Sequence, residues 1–179
     1  MDFKSFFNLC LENTATRSYS CLMLDLSFLK DDWDEIQKDI CPCEVYDDEP
    51  GHGLETEPHI TVKYGIHTED ADAIWDQLDL KPCSFKLSKV SLFENEKYDV
   101  LKFDVVSDDL HKLNKEVCEK FEYTDKYKIY QPHSTICYLQ PGSGEYYKKQ
   151  KNKLIGKEFT SDKFIFSTGS GSKSTKTVK

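Results

Sequence analysis

The sequence predicts an α+β protein with a mainly antiparallel sheet covered by helices. Segments with strand alternation and segments with helical spacing are mixed along the chain, in the approximate order α-β-α-β-α-β-β-α-β-α-β. A hairpin joins two consecutive alternating segments near the middle, which favours antiparallel pairing. No long linker divides the 179 residues. One domain over 1–168 is expected, followed by a flexible basic tail over 169–179.

Each element has a local reason. Residues 2–13 form an amphipathic helix with Asp2 as cap and Phe3, Phe6, Phe7 and Leu9 on the buried side. Residues 19–26 are a largely apolar strand. Residues 30–40 open with acids and carry Trp33, Ile36 and Ile40 at helical spacing. Residues 41–57 hold two prolines and two glycines among acids, and read as a loop. A strand follows over 59–65, ended by Gly65. Residues 69–79 are a helix with Ile74, Trp75 and Leu78 on one face. Residues 84–93 and 98–106 alternate as strands around a polar turn. Residues 107–121 form a helix opened by Ser107 and Asp108. Residues 133–139 are a strand and 141–144 a turn. A lysine-rich helix ends at Gly156, and 159–168 is a last strand.

Composition narrows the function. Hydrophobic residues make up 38% and aromatics 13%, enough for a packed interior. No apolar run approaches the length of a membrane span. The first residues lack a basic region and a small-residue cleavage site, so a cytoplasmic protein is expected. Seven cysteines, an odd number with irregular spacing, read as reduced, partly buried thiols; Cys41 and Cys43 form CxC, not CxxC. The net charge of −8 argues against a partner of duplex nucleic acid. The charge is uneven. Residues 1–60 hold 14 acids against 4 Lys/Arg, and residues 141–179 hold 9 lysines against 3 acids. Such asymmetry can draw an anionic ligand to one part of an acidic protein.

Two segments carry the chemistry. EPHITVKYG (57–65) and QPHSTICYL (131–139) each have proline before histidine and threonine two after it. Each then has a β-branched aliphatic residue, and tyrosine five after the histidine. On a strand, residues two apart share a face. His59 therefore stands with Thr61, and His133 with Thr135. Ile60, Val62 and Tyr64, and then Ile136 and Tyr138, belong to the opposite, packed face. If the strands adjoin, two imidazoles and two hydroxyls meet. Imidazole takes and gives protons near pH 7, as the attack and departure of oxygen at a phosphodiester require. Threonine hydroxyls can hold the charge on the non-bridging oxygens. The scheme requires no metal and no cofactor.

These motifs, with their flanking strands and spacing, resemble the two-histidine (2H) phosphoesterase superfamily over about residues 19–167. The resemblance implies a bilobal fold of two antiparallel sheets around a cleft. It also implies metal-independent phosphodiester cleavage, with His59, Thr61, His133 and Thr135 as catalytic residues. A narrower resemblance joins GLETEPHITVKYGIH with PHSTICYL, the lysine-rich segment and a FIFST-like last strand. It is to the phage anti-CBASS protein 1 family, which implies a cyclic di- or trinucleotide substrate. Cleaving that signal evades host immunity, in the host cytoplasm. The family's tyrosine near the first strand corresponds to Tyr19, a base-stacking candidate. Its C-terminal acidic residue has two possible matches, Glu158 and Asp162, and neither is assigned.

Lys63 follows Thr61 by two and is expected on the same face, where it could attract the phosphate. Cys137 holds the matching place in the second motif as a small wall residue. Ser134 projects away from His133, which disfavours a Ser–His pair. His52, His67 and His111 read as loop and surface residues. Two further activities remain open: hydrolysis of 2′,3′-cyclic phosphates at RNA ends, and sequestration of cyclic nucleotides without cleavage. Base preference, ring size and the choice between monomer and small homo-oligomer are not legible.

Overall fold

In a computed structural model, residues 19–49, 51–125 and 129–179 are described. The expected helix over 2–13 lies outside them. The described elements are β1 (Ser20–Asp25), α1 (Lys30–Gln37), β2 (His59–Ile66), α2 (Ala71–Gln77), β3 (Cys83–Glu94), β4 (Asp99–Val106) and α3 (Asp108–Lys120). They continue with β5 (His133–Leu139), α4 (Gly144–Lys148), β6 (Glu158–Ser161), β7 (Lys163–Ser167) and β8 (Lys173–Thr177). Two antiparallel four-stranded sheets result, ordered β2-β1-β7-β8 and β5-β4-β3-β6. The fold is the expected bilobal α+β arrangement.

The sheets share one apolar interior. Leu22, Leu24, Ile60, Val62, Phe164 and Phe166 enter it from the first sheet, and Phe85, Leu87, Leu101, Phe103 and Ile136 from the second. Burying each such side chain stabilises the fold by roughly 1.5–3 kcal/mol. The helices start where their caps dictate. Asp70 accepts from the backbone N–H groups of Asp72 and Ala73 at the head of α2, and Ser107 accepts from Leu110 at the head of α3.

Four expectations change. The lysine-rich helix stops at Lys148. Asn152 accepts the backbone N–H of Leu154 at 2.8 Å, and this local bond turns the chain so that Leu154 is buried. The single strand over 159–168 is two strands in different sheets. The chain crosses at Asp162, after the Ser161 hydroxyl has bonded the Asp25 carbonyl at 2.7 Å. The tail over 169–179 contains β8, which pairs with β7 through a turn that uses Gly171 at φ +90°. Ser174 and Lys176 of β8 bond the indole N–H and the carbonyl of Trp75. Finally, Cys41 and Cys43 are joined as a disulfide.

Strands β2 and β5 are the facing edges of the two sheets, and each has its far end covered by a loop. Segment 122–124 bonds β2 near Gly65, and residues 44–46 and 53–55 bond β5 near Tyr138. This pairing satisfies edge groups that would otherwise be open. Both histidine motifs therefore lie on inner edge strands.

Candidate active site

Each motif histidine is held in the same way. The His59 Nδ1 lies 2.7 Å from the Glu57 carbonyl, and the His133 Nδ1 lies 2.8 Å from the Gln131 carbonyl. A carbonyl only accepts, so each Nδ1 carries a proton and each Nε2 is left for proton exchange. The intervening Pro58 and Pro132 fix the bend that brings the carbonyl back under the ring. Their own carbonyls accept from Leu26 and Val105, which ties both bends to the neighbouring strands.

The two strands adjoin. The Ser134 hydroxyl donates to the His59 carbonyl at 2.7 Å, and the Tyr130 hydroxyl donates to the Thr61 carbonyl at 2.8 Å. As numbering rises along β2, it falls along the neighbouring segment, so the motifs run in opposite directions. Ser134 is buried and points away from His133, as its position on the strand predicts. The Trp33 indole donates to the Thr135 carbonyl at 3.0 Å, which seats the second motif on α1.

Both strands bulge directly after the threonine. On β1, Met23 faces Thr61 and Cys21 faces Tyr64, so two residues of β1 span three of β2. On β4, Lys102 faces Thr135 and Val100 faces Tyr138, with the same mismatch. The extra residues are Val62 and Ile136, both fully buried. A bulge leaves a carbonyl without its ladder partner. The Asn114 side-chain amide of α3 donates to the Val62 carbonyl at 2.7 Å. The Gln37 amide of α1 donates to the Ile136 carbonyl at 2.7 Å and to the Glu55 carbonyl at 2.9 Å.

The bulges overturn three expectations from strict alternation. Tyr64 and Tyr138 return to the face of the threonines. Lys63 leaves that face; it is 5% exposed, with its ammonium 2.8 Å from the Asp125 carboxylate and 3.8 Å from the centre of the Tyr123 ring. Its ammonium is held by this ion pair, away from the face of His59 and Thr61. Cys137 is fully buried in the core, where burial pushes its thiol up to about 12. Tyr19 stands at the start of β1, stacked on the His67 ring at 5.2 Å and edge-on to Tyr64 at 6.5 Å.

Lys102, also buried, stands beside the second motif. It lies across from Thr135, donates to the Ser91 hydroxyl at 2.7 Å and to Asp104, and sits 4.0 Å from the centre of the Phe93 ring. The Phe93 ring meets His133 edge-on at 5.0 Å. Asp104 lies across from His133, and Asp25 lies across from His59. Asp25 accepts from the Ser27 backbone, the Ser27 hydroxyl and Lys163. Burial raises both carboxyls, but these lysine and serine hydrogen bonds outweigh it and hold them below the usual range. His133 is held below the ordinary imidazole value. Burial is the main cause, opposed by the Gln131 carbonyl and reinforced by Lys102 and by His59. Glu55 lies 3.8 Å from the His59 Nδ1.

Alternation in YDVLKFDVV places Lys102 and Asp104 on one face, so the sequence carried a signal for this pair. Gln37 and Asn114 gave none, because nothing local links a helix amide to a distant bulge. A cavity of about 210 Å³ lies elsewhere, between α1 and segment 147–153, and only Ile136 of the second motif reaches it.

The chain is similar to several solved structures. It aligns with E. coli LigT complexed with 3′-AMP at a TM-score of 0.59 and 10% identity, covering 90% of this chain and 95% of that one. Usb1 of Kluyveromyces marxianus aligns at 0.54 and 10% identity, over 90% and 99%. This is the bilobal fold of LigT and Usb1. A protein of Thermus thermophilus aligns at 0.53 and 13% identity, over 90% and 95%. No family model and no curated protein matches the chain.

Proposed function

We propose that the protein is a 2H phosphoesterase that cleaves 3′,5′-linked cyclic di- or trinucleotides to linear products. One observation carries this reading: two His-x-Thr motifs on adjoining, oppositely running edge strands, with both Nδ1 atoms tied to carbonyls and both Nε2 atoms left to exchange protons. The fold shared with LigT and Usb1, solved with 3′-AMP and with uridine monophosphate, supports a nucleotide substrate. The likeness of 53–67 and 132–139 to the anti-CBASS proteins supports the cyclic class and a role in evading host immunity.

His133 is the base. Burial, and after it Lys102 and His59, favour its neutral form, whose Nε2 lone pair can take a proton. It takes the proton of the ribose 2′-hydroxyl, and the 2′-oxygen attacks phosphorus. The bond from phosphorus to the 5′-oxygen breaks. His59 gives its Nε2 proton to that oxygen, and the Glu55 carboxylate faces the charge His59 carries before the transfer. The product is a linear chain ending in a 2′,3′-cyclic phosphate. Thr61 and Thr135 donate to the non-bridging oxygens. The same groups in reversed roles would open a 2′,3′-cyclic phosphate with water. The fold shared with LigT bound to 3′-AMP favours such action at RNA ends as the second reading.

Chromatography of a cyclic dinucleotide incubated with the protein and EDTA tests the proposal. Linear product is expected. His59→Ala and His133→Ala should each lower the rate by about 10²–10⁴-fold. A substrate lacking the 2′-hydroxyl should resist cleavage. An intact ring after incubation with wild-type protein would refute cyclic cleavage.

A further inference from the structure

We infer that Tyr64 and Tyr138 are paired base platforms, one on each side of the scissile phosphate, so that the substrate carries a nucleobase on both sides of the bond that breaks. This inference rests on the phosphodiesterase reading above and adds which residues read the bases.

The argument begins with the bulges. Without them, alternation would bury both tyrosines with Ile60 and Ser134. With Val62 and Ile136 as extra residues, Tyr64 shares the face of Thr61 and Tyr138 shares the face of Thr135. Each tyrosine then stands about two strand steps, or ~7 Å, beyond its threonine. A ribose spans a gap of that order between phosphate and base. Because β2 and β5 run in opposite directions, the two tyrosines lie at opposite ends of the motif pair. A phosphate between the histidines would have one ring on either side.

Each tyrosine belongs to its own aromatic group. At the first end, Tyr64 is 48% exposed, with Tyr19 edge-on at 6.5 Å and His67 stacked on Tyr19. At the second end, Tyr138 meets His52 at 4.5 Å and Tyr98 at 5.5 Å, and Tyr46 closes the group. Exposed aromatic surface next to an anion site fits a flat, sequence-tolerant ligand such as a base. The second group is more enclosed, so its ring is the more rigid platform. A monoester or a diester with one base would use only one end.

The amides that fix the bulges also fix these rings. Asn114 holds the Val62 carbonyl and Gln37 holds the Ile136 carbonyl, and each is bound to a helix packed behind its sheet. The tyrosines are thus presented by a backbone feature repeated in both lobes.

Steady-state kinetics on a cyclic dinucleotide test this. Tyr64→Leu and Tyr138→Leu should each raise KM by about 5- to 150-fold, with a smaller change in kcat. Tyr64→Phe and Tyr138→Phe should restore KM to within about twofold. Tyr146→Leu, on the exposed side of α4, should match wild type. Because Tyr138→Leu removes a packed ring, a second measurement uses wild-type protein. Removing either base from a linear dinucleotide to leave an abasic ribose should weaken binding by a similar factor. If the wild-type enzyme cleaves but neither base removal nor leucine raises KM, the platforms are refuted while the phosphodiesterase reading stands. If wild type cleaves no diester, the parent reading fails and takes this one with it.

Discussion

Gln37→Met probes the device that shapes the second motif. Gln37 is 8% exposed and its amide supplies two hydrogen bonds, at 2.7 Å to the Ile136 carbonyl and at 2.9 Å to the Glu55 carbonyl. Methionine keeps the length and apolar stem but removes both donors. Glu55 lies in a partly exposed loop where water can substitute, so that loss is about 0.5–1 kcal/mol. The Ile136 carbonyl keeps the Glu55 backbone N–H at 3.0 Å, so losing the amide there costs about 0.5–1.5 kcal/mol. The sum is about 1–2.5 kcal/mol. For a chain of this length it lowers the melting temperature by roughly 2–10 °C. Circular dichroism melts of wild type and Gln37→Met would read it. Asn114→Leu removes the bond to the buried Val62 carbonyl and should cost about 1–3 kcal/mol. A Gln37→Met melt within a degree of wild type would show that the bulge holds itself, and that the amide is incidental.

Lys102→Met should move the acidic limb of the kcat/KM profile toward higher pH. His133 stands below its ordinary value partly because of Lys102, and removing the ammonium while leaving Asp104 makes protonation easier. The base is then lost at a higher pH; a limb that stays in place or moves down would remove His133 from the base role. Gly65→Ala should be severely destabilising, by about 2–4 kcal/mol in denaturant titrations. Gly65 has φ +91°, and an added Cβ would fall 2.2 Å from the Thr124 carbonyl oxygen. Gly51→Ala is the control: its φ is +84° with open space around it, so only the conformational strain of about 1–2 kcal/mol applies.

Much of the fold was legible because short-range pattern determines it. The strand over 133–139 coincides with β5, and the hairpin of β3 and β4 lies where alternation and a polar turn place it. Ser107 caps its helix for the local reason that its side chain reaches a free N–H group of the first turn. Errors fell where a choice depended on distant partners. FTSDKFIFST reads as one strand, and its polar TSDK run does not by itself distinguish a solvent-facing stretch from a crossing between sheets at Asp162. That crossing exists because Ser161 meets Asp25, 136 positions away. KSTKT looks like tail until the edge of β7 and Trp75 give it partners.

The sequence by itself determined the two His-x-Thr pairs and their two prolines, since a period of two puts each histidine beside its threonine whatever lies nearby. Tertiary structure decided what stands next to them. A bulge adds one residue and reverses the side taken by every later residue, and only partner strands and helix amides can stabilise it. That is why Lys63 is buried and Tyr64 and Tyr138 share the face of the threonines.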